Sequence, residues 1–280
     1  MIADVSSLPV HYEERGSGTP ILMLHARAAD HRLMLADMEP LFAERTGWRR
    51  IYPDLPGMGR TPGANWITHQ DHVLDIVTGF LEVVAPDQRF VVAGASYGGY
   101  IALGLVHKLG SMVDGLALTV PAVERDRERR RLPPRQVLVE DAAYLEALTP
   151  EEARLEDLFV VQSREALEAF HAYVGPGLEA ADHAFLERLF RSRAFSVDVR
   201  DLGTGFPAPT LVLAGRQDSL VGYQDAWAVL ENFPRATFAV LDRAGHALSI
   251  EQRGLFRSLT GEWLDRVREY IENAPARGLL

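Results

Sequence analysis

The chain contains no cysteine. Disulfides, thiolate nucleophiles and cysteine-bound zinc are therefore excluded. A single lysine, Lys108, falls inside an expected helix and is a poor candidate for Schiff-base or general-base chemistry. Positive charge is in deficit: 29 Lys and Arg stand against 39 Asp and Glu, a net charge of −10. Nucleic acid is not an expected partner, because phosphate neutralisation wants a basic face. The densest basic run, Arg125 to Arg131, is interleaved with Asp126 and Glu128 and reads as a solvated helical face. No stretch approaches the ~20 apolar residues of a membrane helix. Met1 to Pro9 has neither the basic start nor the apolar run of a signal peptide. The expectation is a cytoplasmic protein that acts on a small molecule, without a membrane partner. Zinc-type and dinucleotide motifs are also missing, so no metal or organic cofactor is expected.

What remains is an ordinary globular composition, 47% hydrophobic and 24% charged. At 280 residues the chain can build one large core, or a core with an inserted subdomain. Short apolar runs alternate with amphipathic stretches, the pattern of an α/β protein with a mostly parallel sheet covered by helices. Strands are expected at Val10–Glu14, Ile21–Leu24, Arg50–Tyr52, Phe90–Ala93, Gly115–Val120, Thr210–Ala214 and Thr237–Leu241. Helices are expected from Leu33 to Arg45 behind Asp30, from a Thr68/Asp71 cap to Val84, from Tyr100 to Leu109, and from Leu255 to Ile271. Between Pro121 and about Gly205 the texture changes to helical patterns without a convincing strand: Ala142–Ala147, Pro150–Val161, Glu165–Val174 and His183–Arg191. The domain reading is a core of residues 1–120 and 206–280 with a helical insertion at 121–205.

The stretch that carries chemistry is Gly94-Ala95-Ser96-Tyr97-Gly98, set between an apolar strand and a helix. A Gly-x-Ser-x-Gly turn at that junction is so tight that the serine is strained outward, and its glycines let neighbouring backbones pass. The helix behind it places its N-terminal dipole under the nucleophile. A serine hydroxyl needs a base, and the base needs a carboxylate to orient it. Asp218, past the strand Thr210–Ala214, and His246, in the glycine loop past Leu241, supply them in the order Ser, Asp, His. Glu124 is the alternative acid, and Asp242 lies too close along the chain to His246 to be favoured.

With these residues in place, the chain resembles the α/β-hydrolase superfamily of serine hydrolases with a helical cap, from Ile21 to the final helix. His25, Asp54-Leu-Pro-Gly57-Met-Gly59 and Gly245-His246 are further landmarks of the likeness. His25 reads as a loop anchor, and Gly57-Met-Gly59 as a turn instead of a phosphate loop. The resemblance implies an oxyanion hole of two backbone N–H groups, from Tyr97 and from Arg27 in the loop after Leu24. Where family members carry His-Gly, this chain has His25-Ala26. Should that position need positive φ, Ala26 would be strained there. The Arg27 side chain, turned inward, could pair with a substrate carboxylate.

The expected activity is acyl-enzyme hydrolysis of a small carboxylic ester. A lactone, an amide or an activated C–C bond beside a ketone are alternatives on the same triad, and a cofactor-free peroxidase-like activity is a lesser one. Serine at the elbow speaks against the dehalogenase and epoxide-hydrolase branches, and the missing His-Gly-Gly-Pro-Gly loop against proline iminopeptidases. From another class, the rival is a non-catalytic small-molecule receptor. Tyr144, Phe159, Phe170, Tyr173, Phe185 and Phe190 either line the pocket roof or, at helical spacing, pack the cap internally.

Overall fold

Ile21 to Leu24 is buried on both sides, with Leu22 and Leu24 in one apolar cluster and Ile21 and Met23 in another. Val91 and Val92 split between the same two clusters, so two layers of helix cover one sheet. Each such side chain, fully buried, is worth roughly 1.5–3 kcal/mol. The structure is a computed structural model that describes residues 1–147, 159–191 and 194–273.

The strands in chain order are β1 (Ile2–Val5), β2 (Leu8–Arg15), β3 (Thr19–Leu24), β4 (Trp48–Pro53), β5 (Phe90–Ala95), β6 (Val113–Thr119), β7 (Val139–Glu140), β8 (Val161–Gln162), β9 (Thr210–Gly215) and β10 (Ala236–Leu241). Eight of them form one sheet in the order β1-β2-β4-β3-β5-β6-β9-β10. β1, β2 and β4 pair antiparallel; from β4 to β10 every pairing is parallel. Around the sheet lie α1 (His31–Met38), α2 (Gln70–Val84), α3 (Tyr97–Leu109) and, near the C-terminus, α8 (Gln224–Trp227), α9 (Leu248–Glu251) and α10 (Arg253–Glu272). Between β6 and β9 the chain forms α4 (Ala142–Ala147), α5 (Arg164–Tyr173), α6 (Gly175–Ala180) and α7 (His183–Leu189). Ser163 and Asp182 cap α5 and α7 through bonds from the Ala166 and Phe185 N–H groups. No helix among the described residues is long and apolar enough to cross a membrane.

Several local expectations are corrected. α1 stops at Met38 and gives way to a 3₁₀ turn over Glu39–Phe42, because Pro40 has no N–H for the preceding turn. α2 is capped by His69, whose Nδ1 accepts the Asp71 N–H at 3.3 Å, and not by Thr68. α3 begins at Tyr97, directly after the serine. The inserted region carries a strand pair, β7 and β8, two residues each and parallel. The helix expected over 150–161 lies outside the described residues up to 158, and its end is strand at Val161.

The run Arg125–Arg131 is not a solvated helical face. Only Arg127–Arg129 makes a turn of 3₁₀ helix, and Arg125 and Arg130 are half-buried.

Candidate active site

Strand β5 delivers Ser96 to the edge of the sheet, and α3 departs at once. The two glycines of the turn are required by close backbone approach: a Cβ on Gly98 would sit 2.1 Å from the Leu24 carbonyl oxygen, and one on Gly94 2.4 Å from the Gly98 oxygen. Ser96 itself has φ 51° and ψ −107°, strained for a residue with a side chain. The N–H of Ser96 donates to the Thr119 carbonyl at 2.8 Å, and its carbonyl accepts from Ala122 at 3.1 Å, so the elbow is tied to the end of β6. There Val120 also has positive φ, 42°, an outlier for a β-branched residue. Two strained residues thus sit side by side on neighbouring strand ends.

His246 reaches the serine from the loop after β10. Its Nε2 accepts the Ser96 hydroxyl at 3.0 Å, and its Nδ1 donates to Asp218 Oδ2 at 2.9 Å. The other Asp218 oxygen accepts the Leu220 and Val221 N–H groups at 2.9 and 3.0 Å. Burial alone would raise this carboxyl; the facing His246 and the N–H donors outweigh it and hold the group below the usual carboxylate range. The alternative acids are occupied elsewhere. Glu124 takes the Asp126 N–H and an Arg200 ion pair, and Asp242 accepts from Gln217.

A cavity of about 540 Å³ opens over Ser96 and His246, and Ala26, Arg27 and Tyr97 are part of its wall. The left-handed residue of the loop after β3 is Ala28, φ 59°, and not Ala26, so the strain anticipated for the missing glycine falls two residues later. The Ala28 N–H donates to Met58 Sδ at 3.2 Å, and the Ala29 N–H to the Ala26 carbonyl. His25 anchors the same loop: it is fully buried, its Nδ1 donates to the Ala26 carbonyl, and its Nε2 accepts the Leu55 N–H.

The Tyr97 hydroxyl donates to Gln70 Oε1 at 2.8 Å, and the Gln70 amide donates to the Leu189 carbonyl on α7. Gln70 thereby joins the residue after the serine to the inserted region. Glu251 makes a second such link, accepting N–H groups from Gly245, Val160 and Val161. Of the candidate aromatics, Phe170 and Phe190 line the cavity. Phe159 packs edge-on against Phe170, Phe185 is buried over Gly57 and Gly63, Tyr173 is exposed, and the Tyr144 side chain lies outside the described residues.

Apart from Arg27, sequence reasoning missed the cavity's cations. Arg125, Arg127 and Arg130 line it together with Arg27. Their signal was position, since the run begins six residues past the end of β6, at the carboxyl edge where such sheets bind ligands. At another wall Asp37 bonds with Ser249, and burial pushes its carboxyl up to about 7 against that bond and against Arg253 and Arg257.

Among the described residues, one group has metal-ligand chemistry: His11, His31 and Asp54, all buried, with ligand atoms within 4.8 Å of one another. Asp54 instead accepts both Nδ1–H groups, at 2.9 and 2.8 Å, and the His31 and Arg60 N–H groups. These donors satisfy the carboxylate as a hydrogen-bond hub, and hold the Gly57-Met58-Gly59 turn to β2 and α1.

Comparison with known proteins agrees with this architecture. A family model described as alpha/beta hydrolase fold matches residues 19–252. The chain is 24% identical over 281 residues to a 2-hydroxy-6-oxo-6-(2'-aminophenyl)hexa-2,4-dienoic acid hydrolase of Metapseudomonas resinovorans, covering 98% of this chain and 93% of that one. It is 25% identical over 274 residues to a 2-hydroxymuconate semialdehyde hydrolase of Pseudomonas sp. strain CF600, covering 92% and 91%. A solved alpha/beta superfamily hydrolase from Oenococcus oeni PSU-1 superposes with a TM-score of 0.85 at 27% identity, covering 92% of this chain and 96% of that one. With the match running from β3 to just past α9, the chain belongs to the α/β-hydrolase fold family.

Proposed function

We propose that the protein is a serine hydrolase that cleaves a small carboxylic ester through an acyl-enzyme. The observation that carries this is the relay from Ser96 Oγ to His246 Nε2 at 3.0 Å and from His246 Nδ1 to Asp218 at 2.9 Å, opening into a cavity. His246 takes the Ser96 proton as Oγ bonds to the carbonyl carbon. The imidazolium, oriented and stabilised by Asp218, returns a proton to the departing alcohol as its C–O bond breaks. Water then repeats the cycle on the acyl-enzyme, releasing the acid and restoring Ser96. The oxyanion is assigned to the Tyr97 and Arg27 N–H groups, supported by their place beside Ser96 in the cavity wall. We read residues 121–205 as the cap that sets selectivity over a core of 1–120 and 206–280.

A second reading, cleavage of an activated C–C bond beside a ketone, is supported by the relative from Metapseudomonas resinovorans, whose named substrate is an oxo acid. The same triad would serve it.

Hydrolysis of p-nitrophenyl acetate and butyrate by wild type and Ser96→Ala tests the proposal. Saturable turnover that falls at least ~10³-fold in the variant, with fluorophosphonate labelling of Ser96, is expected. An inert wild type that the probe does not label means a ligand receptor. Labelling without ester turnover moves the assay to lactones and diketones.

A further inference from the structure

Asp218 sits in a loop past the end of β9, so its aim at His246 depends on what fixes that loop. Ahead of the acid, the Gln217 N–H donates to the Ala244 carbonyl at 3.0 Å and ties this side to the histidine loop. Beyond the acid, the bonds are at first internal. The Leu220 and Val221 N–H groups close on Asp218 Oδ1, and the Gly222 N–H closes on the Asp218 carbonyl at 3.1 Å. A turn closed on itself still needs an outside anchor.

The anchor comes from the opening of the inserted region. Arg130 Nη1 donates to the Leu220 carbonyl at 2.6 Å, and its Nε donates to the Glu124 carbonyl at 2.9 Å. Arg131 grips the same loop further on: its N–H and Nε donate to the two carboxylate oxygens of Asp225 at 3.1 and 2.8 Å, and its Nη2 to the Gln224 carbonyl at 2.8 Å. Arg130 stands nearer the chemistry. Leu220 gives its carbonyl to the guanidinium and its N–H to Asp218, so one residue joins cation and acid. Burial lowers the Arg130 guanidinium pKa, and the Asp218 charge is foremost among those that oppose this.

The connection closes on the nucleophile. The Ser96 carbonyl accepts the Ala122 N–H, and Glu124 follows two residues later. From Glu124 the path runs through Arg130, Leu220, Asp218 and His246 back to the Ser96 hydroxyl. Resting on the hydrolase reading for the chemistry, we infer that Arg130 is a positioning residue for the triad acid: by bridging the Glu124 and Leu220 carbonyls it holds the loop that aims Asp218 at His246. Two charge-assisted bonds from one planar guanidinium fix distance and direction together, which a single ammonium does less well.

A double-mutant cycle with Asp218→Asn tests this, read by p-nitrophenyl acetate kinetics and by the rate of fluorophosphonate labelling. Arg130→Met is expected to lower kcat about 10- to 100-fold with KM nearly unchanged, and to slow labelling in proportion. Arg130→Gln, too short to bridge both carbonyls, is the second variant and should behave alike. Arg130→Lys recovers part of the loss. In the Asp218→Asn background the same Arg130 changes should alter labelling less than about 3-fold, because the group they act through is already disabled. An undiminished loss in that background overturns the inference, as does an unchanged kcat. A raised KM at constant kcat overturns it too, in favour of an arginine that touches substrate. These outcomes leave the hydrolase reading intact, since wild-type turnover and Ser96 labelling are scored separately. A crystal structure of Arg130→Met, or of Arg130→Gln, decides even for an inert enzyme. Separation of Asp218 from His246 Nδ1 beyond about 3.5 Å upholds the role, and an intact bond sinks it.

Discussion

Glu251 accepts the N–H of Gly245 at 2.7 Å, one residue ahead of His246, while its other oxygen takes the Val161 N–H at 3.0 Å. One carboxylate therefore fixes the histidine loop to β8. Replacing it by Gln leaves one acceptor oxygen and turns an amide N–H toward a backbone donor. Glu251→Gln is expected to cost about 1–3 kcal/mol in urea unfolding. It should lower kcat more than it raises KM, since the histidine is displaced while the arginine wall stays. An unchanged kcat would show that Gly245 is held by other means.

Asp218→Asn keeps the shape of the acid but presents an amide to His246 Nδ1. The amide favours the wrong tautomer, and kcat for p-nitrophenyl butyrate is expected to fall about 10³- to 10⁴-fold. The rate of fluorophosphonate labelling should fall with it. Glu124→Gln, on the competing carboxylate, is expected to leave labelling within a few-fold of wild type.

Strain at the elbow can be weighed by two variants that remove the same hydroxyl. At φ 51° a glycine is relaxed and an alanine is not. Ser96→Gly should therefore be more stable than Ser96→Ala by about 1 kcal/mol, read from urea midpoints. Equal midpoints would mean that the surrounding bonds to Thr119 and Ala122 impose no net strain.

The Asp54 hub makes stability depend on pH. Burial pushes the His31 ring toward neutrality, but the bond to Asp54, with Asp54, Asp30 and Glu13 nearby, outweighs it and raises the pKa above 6.5. A raised histidine contributes its full stabilisation below pH 6.5, and that contribution is lost as pH climbs through the folded-state value. The stability difference between wild type and His31→Asn is thus expected to be largest near pH 6 and to shrink toward pH 8. A difference that grows with pH would contradict the assignment.

Much of this molecule can be read in the linear chain because strong local signals coincide with tertiary ones. Ile21–Leu24 and Phe90–Ala93 are continuous apolar runs because both faces of the sheet are covered. The Gly94–Gly98 turn needs its glycines for backbone clearance, so its geometry is written in residue type. Asp218 and His246 each follow a strand end, so their chain order after Ser96 is legible from the strand pattern. What escaped depends on partners far along the chain. The pairing of β7 with β8 involves two residues on each side, too few for a period. Glu251 looks like any helix-end acid until Val160 and Gly245 are placed beside it. Arg125 looks solvated until Phe190, 65 positions later, is folded against it. Pro40 is a legible cue of the other kind, since it ends α1 on local grounds alone.

Three of the four arginines that line the cavity, Arg125, Arg127 and Arg130, belong to one uninterrupted stretch that contributes no strand to the main sheet. Scaffold and most of the cavity's positive charge are consequently carried on separate segments, Arg27 being the exception. A short cassette exchange after β6 would remove most of the positive charge of the chamber while every strand register and the Ser96 turn stay as they are. Divergence within such a lineage would then proceed by rewriting that cassette, with the sheet as an unchanging frame.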